Sequence, residues 1–490
     1  MCFTEMSALA LARAIRERKL SVPEALNEIL VCQNQTDAQI HAYLTVDPGA
    51  AMARAQDVQA HIDRGEMRSP LAGVPIAIKD NLCTEGMRTT CASRMLADFV
   101  PPYSATAVRK LRENDLILYG KLNMDEFAMG STTETSCFGI TRNPWNADCV
   151  PGGSSGGAAA AVAIGSAVCA LGSDTGGSIR QPASHCGVTG FKPTYGTVSR
   201  YGLIAYASSM EQIGPIGRDV ADCAALMDVI RGEDPLDGTS RKTEGTPYLS
   251  RLGESVRGVR IGIVCECMMG NISADVADRV CEMARELGKM GAIVEKINLP
   301  LMESAVSAYY VIATAEAASN LSRYDGVKYG YRAAGNLSLE ELYTRSRTEG
   351  FGSEVKRRIM LGNFVLSAGF YDAYYRRAME TKSAIVAQFG QLFERYDMLL
   401  MPTAPTTAPR IGVSLDDAVR MYNDDRFTVP ANLAGLPALT LPCGFGEDGM
   451  PIGAQLIGPV FSDARLLAVG HAYQQVTDYH TKRPGEVSVP

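Results

Sequence analysis

Ordered cysteine is missing from this chain. Its thirteen cysteines are scattered, the closest pair is Cys265 and Cys267, and no CxxC occurs. That spacing suits neither a zinc site nor a disulfide framework. The expectation is no metal, buried or inert thiols, and a reducing cytoplasm. No GxxxxGK[ST] occurs, which removes the usual phosphate cradle. Basic residues do not outnumber acidic ones: 47 Lys and Arg stand against 54 Asp and Glu, a net charge of −7. A chain that grips nucleic acid by itself needs the opposite balance. No apolar run is long enough to span a bilayer. The best candidate, Ala158 to Leu171, is short and broken by Gly165 and Ser166, so no membrane contact is expected. Met1 to Ser7 has no basic region followed by an apolar run, so no leader is expected there. Histidine is scarce too, with five in the chain, which limits the bases available to any nucleophile.

What is present predicts a large α/β protein. Hydrophobic residues make up 46% of the chain, enough for a sizeable core. Ser7 precedes the helical run LALARAI. Ser21-Val-Pro-Glu24 is a capping box that predicts a second helix start. Residues 66–81 turn into a short apolar, strand-like run, and Val108 to Gly120 read as a helix followed by a buried strand. Ser154 to Leu171, apolar on nearly every side, reads as a core helix. Residues 259–297 read as one βαβ unit, and 398–401 as a buried strand ended by a proline-rich loop. Strands and helices alternate, which places the chain in the α/β class. No linker divides it, so residues 1–490 are read as one domain. Within it, 1–65 form an N-terminal helical region and 232–258 a polar surface excursion.

Two glycine patterns need sorting. Gly444-Phe-Gly446-Glu-Asp-Gly449 matches GxGxxG but lies between two strand-like runs with no helix after it, so it predicts a hairpin loop. Gly152-Gly-Ser154-Ser-Gly156 matches GxSxG, and a second serine, Ser178, follows two glycines in LGSDTGGSIRQPA. A serine hydroxyl needs a base. His185, His471 and His480 offer one reading. Lys79, at the end of GVPIAIK, offers another. An ordinary lysine of pKa about 10.4 is neutral in only about one molecule in 2,500 at pH 7. To act as a base near pKa 7–8, its ammonium must be disfavoured by roughly 3–5 kcal/mol. Burial away from a carboxylate can do this. Asp80 is adjacent, but on a strand its side chain points to the opposite face.

Lys79, the run Gly152 to Gly157, and Asp174-Thr-Gly-Gly-Ser178 together resemble the amidase signature family. That resemblance implies its fold, a large mixed, twisted sheet covered by helices on both faces. It also implies a Ser–cis-Ser–Lys triad: Ser178 as nucleophile, Ser154 as bridge after a cis peptide, and Lys79 as base. Backbone amides of Thr175, Gly176, Gly177 and Ser178 are then expected to form the oxyanion hole.

Further stretches, including PLAGVPIAIKDN, KLNMDEFAMGSTTETSCFGITRNPW and QLIGP, are similar to the A subunits of glutamyl-tRNA(Gln) amidotransferases, a group within that family. The similarity implies a glutaminase that hands ammonia to a larger B subunit, which uses ATP and Mg to amidate glutamyl-tRNA, alongside a small C subunit. This chain itself then needs no cofactor and meets tRNA only through the complex. Glutamine-binding positions carried over are Met129, Gly130, Tyr309, Arg358 and Asp425, with Tyr310 and Asp424 as neighbouring alternatives. Departures from the group's pattern are Thr132, where serine is common, and Arg426, where apolar residues are common. A freestanding amidase of the same family, acting on small amides, is the alternative reading.

Overall fold

The first helices start where their serines predict. Ser7 accepts from Ala10 N–H and caps the helix Ala8–Arg16. Ser21 and Glu24 form the complete reciprocal box at the head of the helix Val22–Ile40. The computed structural model describes residues 6–243, 245–415 and 418–485. Most of Met1 to Ser7, read as lacking a leader, and Glu244 of the 232–258 connection lie outside the described residues.

One mixed sheet of eleven strands organises the described residues. In chain order the strands are β1 Tyr43–Val46, β2 Pro75–Lys79, β3 Ile117–Leu122, β4 Cys169–Asp174, β5 Thr189–Lys192 and β6 Gln212–Gly217. They continue as β7 Arg260–Val264, β8 Ile293–Ile297, β9 Met398–Pro402, β10 Ala438–Phe445 and β11 Pro451–Ile457. Their spatial order is β1-β3-β2-β4-β6-β5-β10-β11-β9-β7-β8. β2 is parallel to both β3 and β4, and β7 is parallel to both β8 and β9. The remaining pairs are antiparallel.

Both faces of the sheet are covered. Successive strand residues point to opposite faces, yet every residue of β2, β3, β4, β6, β9 and β11 is buried. β9 shows the division. Met398 and Leu400 enter one apolar cluster, with the helices Val220–Ile230, Ala274–Lys289 and Asp463–Val476. Leu399 and Met401 enter a second, with the helices Met302–Leu321 and Arg377–Phe393.

The apolar run from Ser154 to Leu171 is not one helix. It is the helix Gly156–Ile164, ended by Gly165 in the left-handed region at φ +89°, and then β4. Both pieces are buried all round, so polarity could not reveal the break. The GxGxxG stretch is the β10–β11 hairpin, as its flanks predict. Among its described residues, the connection 232–258 holds no strand and one short 3-10 turn, Leu249–Arg251. It is strapped down more firmly than a polar excursion suggests. Asp234 accepts from Thr106 Oγ1 at 2.5 Å and Ser199 Oγ at 2.6 Å, and Leu252 and Val256 are buried.

Two helices lie unusually close. A Cβ on Gly362, in the helix Ser353–Leu366, would sit 2.0 Å from the carbonyl oxygen of Thr314 in the helix Met302–Leu321. Only glycine permits that approach. No helix among the described residues is long and apolar enough to cross a membrane.

Candidate active site

Parallel pairing of β2 with β4 puts their C-terminal ends side by side, with Ile78 opposite Leu171. Lys79 closes β2. Asp174 closes β4 and leads into Thr175–Ser178. Lys79 is 0% exposed, and its Nζ donates to Ser154 Oγ at 2.7 Å and to Ser173 O at 3.3 Å. Burial pulls the amine down to about 7, against a smaller opposing pull from Asp125 and Asp174. Asp80, as strand geometry predicts, turns elsewhere: it accepts from Thr90 N–H and lies 3.1 Å from the Lys121 ammonium.

Ser154 follows Gly153 through a cis peptide and stands just before the helix Gly156–Ile164. Gly153 N–H donates to Gln181 Oε1 at 2.9 Å, and Gln181 Nε2 donates to Ser131 O at 3.0 Å. Ser155 N–H donates to Ser178 O at 3.0 Å, which joins the two serine segments directly. Ser178 keeps 8% of its surface exposed, a small opening in otherwise closed surroundings.

Asp174 shapes the loop that ends in Ser178. Its carboxylate accepts from Gly177 N–H at 2.9 Å, Ile179 N–H at 3.2 Å and Arg180 Nε at 3.0 Å. Burial works against its charge, but the Arg180 guanidinium overrides this and holds the carboxyl down at about 2. Of the four amides expected to form an oxyanion hole, one is engaged within the loop itself. Gly177 N–H is committed to Asp174, while the N–H groups of Thr175, Gly176 and Ser178 have no partner among the described residues. The glycines admit close neighbours. A Cβ on Gly176 would meet the Tyr309 hydroxyl at 2.6 Å, and one on Gly177, at φ +140°, would meet Thr428 Oγ1 at 2.2 Å.

Of the residues carried over for an amino acid, Tyr309 and Asp425 reach this loop. Asp425 Oδ2 accepts from Ser131 Oγ at 2.5 Å. Its Oδ1 has no hydrogen-bond partner among the described residues and faces Gly177, 3.3 Å from where a Cβ would lie. Burial pushes this carboxyl well above the ordinary range. Arg358 is 2% exposed. It donates to Glu354 Oε1 at 2.8 Å and to the Tyr206 hydroxyl at 2.6 Å. Its guanidinium also lies 5.2 Å from the Tyr310 ring centre, and Tyr310 stacks on Tyr422 at 3.9 Å. Tyr309 thus meets the Thr175–Ser178 loop and Tyr310 meets Arg358. Met129 is fully buried, and the Gly130 Cα packs against the Asp125 carboxylate.

The histidines do not join this site. His185 is buried with both ring nitrogens unpartnered among the described residues, and burial holds it down at about 4. His471 lies in the helix Asp463–Val476 and His480 in the turn Tyr479–Thr481, and neither is hydrogen-bonded to a serine among the described residues. Sequence reasoning missed Asp125, which accepts from Thr132 N–H, Thr133 N–H and Thr135 Oγ1 and so holds the loop beside Gly153. It also missed Glu354. The i,i+4 spacing to Arg358 in SEVKRRIM was the available signal.

Comparison with known proteins agrees with this geometry. The family model described as Amidase matches residues 24–467. The A subunit of the glutamyl-tRNA(Gln) amidotransferase of Lachnoclostridium phytofermentans is 52% identical over 487 residues, covering 98% of this chain and 99% of that protein. Its counterpart in Moorella thermoacetica is 53% identical over 479 residues, covering 98% of each. The crystal structure of the glutamyl-tRNA(Gln) amidotransferase A subunit from Thermotoga maritima superposes with a TM-score of 0.81 at 41% identity, over 98% of this chain and 97% of that one. A match over most of the length, at a site whose lysine, serines and glycine loop meet as described, decides the family: this chain belongs to the amidases.

Proposed function

We propose that this chain is the glutaminase subunit of a tRNA-dependent amidotransferase. The observation that carries the chemistry is the 2.7 Å contact between a buried lysine held near neutrality and Ser154 Oγ. Ser178 Oγ attacks the γ-carbonyl carbon of glutamine. Its proton passes to Ser154, whose own proton passes to Lys79. The oxyanion is met by the free N–H groups of the Thr175–Ser178 loop. The relay then runs backwards and protonates the leaving nitrogen, so ammonia departs and a γ-glutamyl ester remains on Ser178. Water, deprotonated through the same relay, attacks the ester and releases glutamate.

Substrate identity rests on the opposite charges near that loop. Arg358 suits an α-carboxylate and Asp425 an α-ammonium. The relatives named above are A subunits of glutamyl-tRNA(Gln) amidotransferases. By that likeness the ammonia passes to a larger B subunit, which spends ATP with Mg to convert Glu-tRNA(Gln) into Gln-tRNA(Gln), and a small C subunit completes a cytoplasmic heterotrimer. The exposed surface favours a place in such a complex over a freestanding amidase. Phe364, Phe370 and Tyr374 form a contiguous ring cluster, each at least 40% exposed, beside Met360 at 72%. Apolar surface of this kind is usually covered by assembly.

The test is glutaminase activity of the chain co-expressed with the B and C subunits, with and without Ser178→Ala. Wild type should release ammonia from glutamine and amidate Glu-tRNA(Gln). The variant should fold and assemble but release none, and should still amidate when ammonia is supplied. A chain that purifies alone and turns over simple amides without stimulation by partners would replace this reading with the freestanding amidase.

A further inference from the structure

Glu126 is buried and takes no part in the proton relay. Its carboxylate accepts from Ser93 Oγ at 2.5 Å and from Gly352 N–H at 2.8 Å. Gly352 is the N-cap of the helix Ser353–Leu366, which receives no side-chain cap from its own first turn. A carboxylate at that end satisfies a free N–H group and suits the helix dipole. Less than two turns further on, the same helix presents Arg358.

A second branch runs the other way. Glu126 opens the segment that passes through Met129 and Gly130 to Ser131. Phe127 and Ala128 within it take φ of +50° and +60°, conformations that non-glycine residues keep only when their surroundings hold them. The restraints are visible. Glu126 N–H donates to Thr135 Oγ1 at 3.0 Å, Phe127 N–H to Cys91 O at 3.0 Å, and Met129 N–H returns to Glu126 O at 3.0 Å. The Phe127 ring meets Phe351, one residue before Gly352, edge-on at 5.6 Å. The segment ends where Ser131 Oγ donates to Asp425. From one carboxylate, therefore, one line of contacts reaches Arg358 and another reaches Asp425.

We propose that Glu126 is a positioning residue that sets the separation of Arg358 and Asp425, and thereby the preference for a free α-amino acid over a simple amide. This rests on the reading of glutamine as substrate. Glu126 itself touches neither substrate nor relay. Burial pushes its carboxyl up to about 7, so charged and neutral forms coexist near neutrality, and both can accept from Gly352. Glutamine at this position keeps that acceptor. Leucine removes it at similar size. Aspartate withdraws it by one methylene.

The experiment compares KM and kcat for glutamine and for butyramide, which lacks both α substituents, in the full chain with its co-expressed partners. Glu126→Leu and Glu126→Asp should raise the glutamine KM about tenfold or more, equivalent to about 1.4 kcal/mol. The kcat for glutamine and both constants for butyramide should stay within about threefold, and Glu126→Gln should restore the glutamine KM. Unchanged glutamine KM in the Leu or Asp variant, or an equal rise for both amides, overturns the inference and leaves the substrate reading intact. A wild type that hydrolyses butyramide but not glutamine overturns the substrate reading itself. If the Leu variant does not fold, the Asp variant decides.

Discussion

Lys121 Nζ sits 3.1 Å from Asp80 Oδ1, both side chains fully buried, so the carboxylate next to Lys79 in sequence is paired with a different lysine. The amine of Lys79 keeps hydroxyl and carbonyl neighbours instead. The two carboxylates that most oppose the effect of its burial, Asp125 and Asp174, are engaged elsewhere: Asp125 by Thr132, Thr133 and Thr135, and Asp174 by Arg180. Burial therefore decides the balance.

That balance sets the pH profile. In the proposed mechanism the working base is the neutral amine, which burial brings to about 7. Glutaminase kcat/KM is expected to rise with pH, with an inflection near 7 and a fall of about tenfold per pH unit below it. Initial rates between pH 5.5 and 9 check this. A profile flat across that range would remove Lys79 as the base.

Replacing the same residue should stabilise the protein while silencing it. The unfolded chain keeps the lysine proton up to about pH 10.4, whereas the folded chain gives it up near 7. Between those values the unfolded state binds more protons, so stability rises with pH. The burial penalty is thus full below 7 and fades as the pH approaches the ordinary lysine range. Lys79→Met should abolish turnover and raise Tm at pH 6, and the gain should shrink toward pH 10. Thermal melts across that range read it directly.

Arg358→Ala should act on recognition. Truncating one partner of a buried charge pair costs about 2–5 kcal/mol, so the glutamine KM should rise at least tenfold while butyramide is little affected. Glu354 retains Arg357 and the Tyr422 hydroxyl, so the fold tolerates the change. Steady-state kinetics on the two amides provide the check, and equal losses on both would refute a carboxylate contact.

Arg180→Met should damage both fold and rate. It leaves Asp174 buried without its cation, a loss of about 3–5 kcal/mol. Asp174 also anchors Gly177 and Ile179, so kcat should fall with the loosened loop. In wild type the stability from this depressed carboxyl is present above its ordinary range and is lost only as pH falls toward 2. Without the guanidinium, burial pushes this carboxyl up, so the variant's Tm deficit should be largest near pH 7 and shrink as falling pH protonates the acid, measurable by melts of both proteins between pH 3 and 7.

Much of this arrangement was legible in the sequence because it is local. A lysine at a strand end, two serines among glycines and a capping box each carry their signal within a few residues. Parallel pairing of β2 with β4 then brings the distant pieces together. What escaped is either non-local or ambiguous in pattern. The helix–strand break at Gly165 hides because both sides are buried. The commitment of Gly177 N–H to Asp174 depends on a loop conformation that no spacing encodes. Glu126 and Gly352 are 226 residues apart, and nothing in either neighbourhood names the other. The contact between Ser131 and Asp425, 294 residues apart, is equally unmarked in either neighbourhood.

Gly362 has a mechanical consequence. With no side chain to separate them, the helix bearing Tyr309 and the helix bearing Arg358 rest backbone on backbone and cannot slide past one another cheaply. They form a single jaw. If the proposed substrate binds beside them, room for it cannot come cheaply from parting this pair.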